Sequence, residues 1–188
     1  MFLRFSDPTD SVVCGFLHQG PEKGAVVIVA QRSTVYKAEL SISNIDRGYY
    51  AQHALTLALH PSETEQRLMV RLLAFVLYAE PALAFGRGLS ADDEPDLWAR
   101  TPTGEIDLWI DVGLPDLRAA VWWRENAADF ARCRNLTVQL LPDAGAVALA
   151  ALAARSMALT ATVQDGRVWL ASDATAVECA VRPMADSG

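Results

Sequence analysis

The sequence predicts a single α/β domain, and three patterns predict it. Segments of strict apolar-polar alternation are interleaved with longer stretches of helical periodicity, Gly- and Pro-containing turns bound them, and neither an internal repeat nor a low-complexity linker divides the chain. With 188 residues, 52% hydrophobic and 21% charged, the composition is that of one ordinary globular domain.

Residues 1–30 hold Asp-Pro, Gly-Pro and Gly breakers and read as a loosely packed N-terminal extension. Its one apolar run, Ala25 to Ala30, is either part of a tail or an added strand. Residues 31–188 form the domain proper. Thr34 to Ser43 alternates Tyr36, Ala38, Leu40 and Ile42 against Val35, Lys37, Glu39 and Ser41, Asn44 to Gly48 supplies a turn, and Tyr50 to Leu59 alternates again. The two read as an antiparallel hairpin. A helix opens at Pro61 to Glu65, where Ser62 with Glu65 three residues on has the spacing of a capping box, and it runs to about Ala79, before Pro81. Its apolar stripe is Leu68, Leu72, Phe75 and Val76; Glu63, Arg67 and Arg71 recur at i, i+4 and, as a pattern, read as a solvated ion-pair face.

Phe85 to Gly88 is a loop leading to the acids Asp92, Asp93, Glu94 and Asp96. Strands over Leu97 to Arg100 and Glu105 to Val112 follow, joined by a Thr-Pro-Thr-Gly turn; the second sets Ile106, Leu108 and Ile110 on one face and Asp107, Trp109 and Asp111 on the other. Then come a helix from Ala119 to about Arg132, a strand from Leu136 to Leu141, and an Ala-rich helix from Pro142-Asp143 to near Arg155. The chain closes with strands over Met157 to Gln164, Arg167 to Ala171 and Val177 to Arg182, the first two joined by Asp165-Gly166, a strong hairpin signal.

A net charge of -7 excludes general attraction to a phosphate backbone, so any nucleic-acid partner must be held by a local patch. Lys23 and Lys37 are the only lysines. Cys14, Cys133 and Cys179 are odd in number and lack a C-x-x-C pair, which predicts reduced thiols in a cytoplasmic protein. The longest small-apolar run, Ala144 to Ala154, is far short of the about 20 residues a bilayer span needs, so no membrane partner is expected. His18, His53 and His60 are not spaced as a metal pair, and G-x-S-x-G, P-loop and G-x-G-x-x-G motifs are missing. What remains is carboxylate clustering. An Asp before one strand and an acid on the next supply hard oxygen ligands of the kind Mg²⁺ takes, and such an ion activates water for phosphodiester cleavage. The same acids also read as an ordinary surface loop.

Four ordered blocks carry a resemblance: Tyr36 to Leu40, Leu55 to Thr64, Gly88 to Trp98 and Trp109 to Asp116, with Met157 to Leu170 behind them. Over about residues 31 to 182 the sequence resembles the YaeQ family of bacterial proteins. The resemblance implies a variant of the PD-(D/E)XK restriction-endonuclease-like core, a mixed β-sheet flanked by helices. It implies that Pro95-Asp96 is the PD element, that Asp111-Val112-Gly113 stands at the (D/E)-x-K element, and that Glu63 or Glu65 supplies an additional acid. The implied catalytic and metal set is Asp96, Asp111 and Glu63, with Mg²⁺.

The chain departs from that pattern at two places. Gly113 stands where the lysine belongs, and after Asp116 the sequence passes from Leu117 straight to Arg118-Ala119-Ala120-Val121-Trp122-Trp123, so that a basic helix and the following strand are expected to be missing at 117/118. Arginine does not replace lysine as a proton acceptor. Two functions stay open: Mg²⁺-dependent phosphodiester hydrolysis at Asp96 and Asp111, impaired by these losses, or a non-catalytic regulatory or interaction protein.

Overall fold

In the computed structural model, described over residues 2–6, 33–86, 94–113 and 136–183, the alternating segments pair into two β-sheets. The strands are β1 (Phe2–Ser6), β2 (Thr34–Asn44), β3 (Tyr49–Leu59), β4 (Leu83–Phe85), β5 (Leu97–Arg100), β6 (Ile106–Val112), β7 (Leu136–Leu140), β8 (Ser156–Gln164), β9 (Arg167–Ala171), β10 (Ala176–Ala180) and β11 (Arg182–Pro183); the helices are α1 (Glu65–Tyr78) and α2 (Asp143–Ala150). The five-stranded sheet has the order β10-β9-β8-β2-β3 and is mixed, because β2 and β8 run parallel. The six-stranded sheet, β11-β7-β1-β6-β5-β4, is antiparallel at every pairing. The α/β class with a mixed sheet and flanking helices holds, with the strands divided between two sheets rather than gathered in one.

Helix α1 is the reason for two sheets. It packs on β6 of one sheet, on β2, β3 and β8 of the other, and on α2. Residues all round it are buried, from Leu68 through Val76, so it needs cover on more than one side. The cover comes from alternating faces: Tyr36, Ala38, Leu40 and Ile42 of β2, Met157, Leu159, Ala161 and Val163 of β8, and Leu108, Ile110 and Val112 of β6 join α1 in one core. In the turn between β8 and β9, Asp165 and Gly166 both take positive φ, 53° and 70°, the conformation that a two-residue hairpin demands. Their two N–H groups donate to the Asp46 carboxylate at 2.8 and 3.0 Å, tying this turn to the one between β2 and β3. No helix among the described residues is long and apolar enough to cross a membrane.

Four local expectations change. The N-cap of α1 is Thr64, whose hydroxyl accepts the Arg67 N–H at 3.2 Å, and not Ser62. Ser62 instead bonds the His60 ring at 2.7 Å, and Glu65 accepts the Tyr36 hydroxyl at 2.6 Å, so both partners of the expected capping box are engaged elsewhere. Helix α2 stops at Ala150, because the Arg155 carbonyl must already lie beside β2 to accept the Lys37 N–H at 2.9 Å. Leu83–Phe85, read partly as loop, is a strand paired with β5. Phe2–Ser6, assigned to the loose extension, is an inner strand of the six-stranded sheet. The run Ala25 to Ala30, the acids Asp92 and Asp93, the break at 117/118 and the helix expected from Ala119 lie outside the described residues.

Cys179 points from β10 into the core, 1% exposed, and burial pushes its thiol up to about 11. Because the thiolate is the nucleophile, Cys179 should resist iodoacetamide at pH 8 in the folded protein and react fully once the protein is unfolded in guanidinium, read by peptide mass spectrometry.

Candidate functional site

The acidic residues singled out by the sequence come from three places. Glu63 lies in the turn before α1, Asp96 immediately before β5, and Asp111 on β6. The turn holding Glu63 is closed by its own groups: its N–H donates to the His60 carbonyl at 2.8 Å, and its Oε2 accepts the His60 N–H at 3.3 Å. Asp96 is held by a close backbone approach. The Gly86 N–H donates to the Asp96 carbonyl at 2.9 Å, and a Cβ on Gly86 would collide with the Pro95 carbonyl oxygen, so the residue after β4 must lack a side chain. The Asp96 carboxylate then crosses to β6, where Oδ2 accepts the Val112 N–H at 2.8 Å, next to Asp111.

Two arginines one helical turn apart fill the space among these acids. Arg67 donates from Nη1 to Glu63 Oε1 at 2.6 Å, and from Nη2 to both oxygens of Asp96 at 2.9 and 2.7 Å and to the Val112 carbonyl at 3.0 Å. Arg71 donates from Nη1 to both oxygens of Glu63 at 3.1 Å each and to the Ala58 carbonyl of β3 at 3.1 Å. Its Nε lies 3.3 Å from Asp96 Oδ1, close enough for charge attraction but off the hydrogen-bond line, and Nη2 has no hydrogen-bonding partner among the described residues. The Phe85 ring lies 5.6 Å below the Arg71 guanidinium carbon, a cation–π contact that offsets part of this deficit. The side chains of Arg71 and Glu63 are fully buried and that of Arg67 is 14% exposed. The stripe Glu63-Arg67-Arg71 is therefore an interior network and not a solvated face, because the two sheets cover α1 on the side where the stripe runs.

Asp111 stands apart from this pairing. It accepts the indole N–H of Trp109 at 2.9 Å. Burial lifts its carboxyl above the ordinary value of 3.8, the indole bond works against that, and the negative charge of Asp96 pushes it further up. Of the expected set, Glu63 and Asp96 are brought together through Arg67 and Arg71, and Asp111 adjoins Asp96, feeling both the repulsion of its carboxylate and a hydrogen bond from its backbone. Glu65 goes elsewhere, to Tyr36. Among the described residues, a side chain grown from Gly113 meets nothing within 4 Å.

A divalent cation fits this arrangement poorly. Hard cations draw oxygens to about 2.0–2.6 Å, yet every oxygen of Glu63 and Asp96 already accepts from a guanidinium or a backbone N–H. Among the described residues no three His, Cys, Asp or Glu side chains are arranged to hold a metal ion. Sequence reasoning missed the arginines as members of the site. The signal was present: Met69, Val70, Leu73 and Ala74 lie outside the expected apolar stripe, and a helix apolar nearly all round has no solvated face to give its charges.

Two outcomes follow from these geometries. Arg71→Met keeps the bulk but leaves the buried carboxylates of Glu63 and Asp96 to share Arg67 alone, and should lower the unfolding free energy by about 3–5 kcal/mol in urea melts. Asp111 binds its proton more tightly folded than unfolded, so its contribution is most favourable at low pH and declines as pH rises from 3.8 through its higher folded value. Asp111→Asn should remove that decline, leaving the variant at least as stable as the parent at neutral pH in melts across a pH series.

Relatives place this geometry in a family. The family model described as YaeQ protein matches residues 29–120 and 117–181, two segments that overlap at 117–120. The uncharacterized protein YaeQ of Escherichia coli (strain K12) is 40% identical over 171 residues, covering 80% of this chain and 94% of that protein. Its counterpart from Salmonella typhi is 42% identical over 167 residues, covering 78% and 92%. The crystal structure of YaeQ from Xanthomonas axonopodis pv. citri aligns with a TM-score of 0.75 at 47% identity, over 81% of this chain and 98% of that one. That from Pseudomonas syringae aligns with a TM-score of 0.73 at 31% identity, over 81% and 96%. The fold, the site blocks and the relatives agree, and the chain belongs to the YaeQ family.

Proposed function

We propose that this chain is a non-catalytic interaction protein in which an acidic site of nuclease type serves as an internal ion-pair lock. The observation that carries the reading is that Glu63 and Asp96 spend their carboxylate oxygens on Arg67 and Arg71. With the guanidiniums in place the two acids are neutralised and hydrogen-bonded, which is what a buried carboxylate needs and what a metal ligand must give up. Gly113 in place of a lysine supports the same reading, since a guanidinium does not serve as the proton acceptor that hydrolysis requires. The cytoplasmic setting inferred from the cysteines belongs to this proposal.

A second reading, Mg²⁺-dependent phosphodiester hydrolysis at Asp96 and Asp111 with Glu63, is favoured by one observation. Asp96 accepts the N–H of Val112, and neighbouring Asp111 has its pKa raised, first by burial and further by the charge of Asp96, so two carboxylates share a small desolvated region. It requires Arg67 to leave both Glu63 and Asp96.

A titration with Mg²⁺ or Mn²⁺ at millimolar concentration, followed by melting temperature, separates the two, because an ion that binds only the folded state must stabilise it. The ion-pair lock predicts an unmoved melting temperature and no cleavage of single-stranded DNA or RNA, in the parent chain and in Gly113→Lys. A rise in melting temperature that Asp111→Asn abolishes, accompanied by cleavage, would establish the hydrolytic reading and end the other.

A further inference from the structure

Strand β1 occupies a position that its place in the sequence does not explain. It is paired along both edges, Phe2↔Val112 to Ser6↔Leu108 against β6 and Phe2↔Gln139 to Phe5↔Leu136 against β7. Both neighbours run antiparallel to it, so β6 and β7 are parallel to each other and one strand apart. No hairpin joins β1 to either. The next described element is β2, in the other sheet, and the 7–33 interval between them could span about 90 Å at most at ~3.3 Å per residue. Among the described residues, β1 is seated by its two ladders.

The slot it fills is fixed in width from both sides. On β7, Gln139 Oε1 accepts the Tyr78 hydroxyl of α1 at 2.7 Å, and Val138 is buried. On β6, Val112 is bonded through its N–H to Asp96 and through its carbonyl to Arg67. For β6 and β7 to close directly on each other, one of them must slide by about 4.8 Å, the strand spacing, and break those bonds. An empty slot therefore presents two open edges, which is the condition under which a sheet recruits a strand.

We propose that the slot between β6 and β7 is a strand-acceptor site and that its second occupant, besides the chain's own N-terminus, is Phe2–Ser6 of another copy of this chain, exchanged reciprocally to give a swapped dimer. The other copy offers the same residues in the same register, so both ladders form unchanged, and exchange trades one connection for another without loss of a backbone hydrogen bond. A second copy is favoured over a foreign peptide because the register with both neighbours is already satisfied by this sequence. Covalent linkage makes insertion of the chain's own strand intramolecular and favours it in dilute solution; exchange is promoted when chains fold together at high concentration. The inference does not rest on the ion-pair lock, and the two can fail separately.

Cross-linking across the register Arg4↔Thr137 tests it. In a background of Cys14→Ser and Cys133→Ser, Arg4→Cys and Thr137→Cys are made in separate chains, unfolded, mixed, refolded together at high concentration and oxidised. Exchange predicts a disulfide-linked heterodimer on non-reducing denaturing gels, scarce after dilute refolding and absent when the two chains are refolded separately before they are mixed and oxidised. The double variant Arg4→Cys/Thr137→Cys in one chain should cross-link internally when refolded dilute. If it does and the mixed chains never pair, exchange between copies is wrong; if it does not, the seat of β1 itself is wrong. A chain lacking residues 1–7 that stays monomeric, binds a synthetic Met1–Asp7 peptide and yields no mixed dimer would also overturn the proposal, because the slot would then take a strand without taking another copy.

Discussion

The Arg71 guanidinium, sealed from solvent in the middle of the molecule, is the constraint around which the rest is arranged. A buried positive charge is tolerable only when its donors meet oxygens, and those oxygens come from the turn before α1, from β3 and from the residue preceding β5. Arg67, one turn earlier, extends the same network to β6. Two arginines on one helix thus fasten both sheets to it. An apolar helix packed between apolar sheets has many near-equivalent rotations; a planar fork reading fixed carboxylates has few.

The balance of charge in that network bears on its chemistry. Glu63 and Asp96 offset Arg67 and Arg71, so the four groups are neutral together, and Asp111 sits beside them with its proton held more firmly than usual. A divalent ion added to a neutral, desolvated cluster brings uncompensated charge into low dielectric. The same three acids without the arginines would present the opposite problem, excess negative charge, and would welcome a cation. Whether such a cluster acts as a lock or as a metal site is decided by its neighbours on α1 and not by the acids themselves.

What the sequence made legible is what local pattern can encode. The hairpins β2–β3 and β8–β9 were readable because each strand buries one face and shows the other, so alternation survives in the residue order. Asp165-Gly166 was readable because only a few residues adopt positive φ. Asp96 and Asp111 were identified as neighbours by family blocks and are coupled in the structure. The start of α1 was misread because Ser62 and Thr64 are both competent caps, and the choice is made by His60 and by Tyr36 of β2, which is nearly thirty residues away in sequence. The burial of Arg67 and Arg71 was misread because helical periodicity reveals one covered side and is silent about a second layer. Strand β1 was not readable at all: its five residues show no hairpin partner, and the edges that define it belong to residues more than a hundred positions later.

That last separation sets an order of events during synthesis. Phe2–Ser6 leaves the ribosome well before its partners Leu108 to Val112 and Leu136 to Gln139, which lie more than a hundred residues later. The hairpin of β2 and β3 can close as soon as Leu59 is out, but the six-stranded sheet must wait, with a gap between β6 and β7 until Phe2–Ser6 docks. Pairings of long sequence separation form slowly because loop entropy must be overcome before they contribute. Strand β1 therefore exists long before the sheet that seats it, and until it docks the nascent protein has strand edges open to its neighbours.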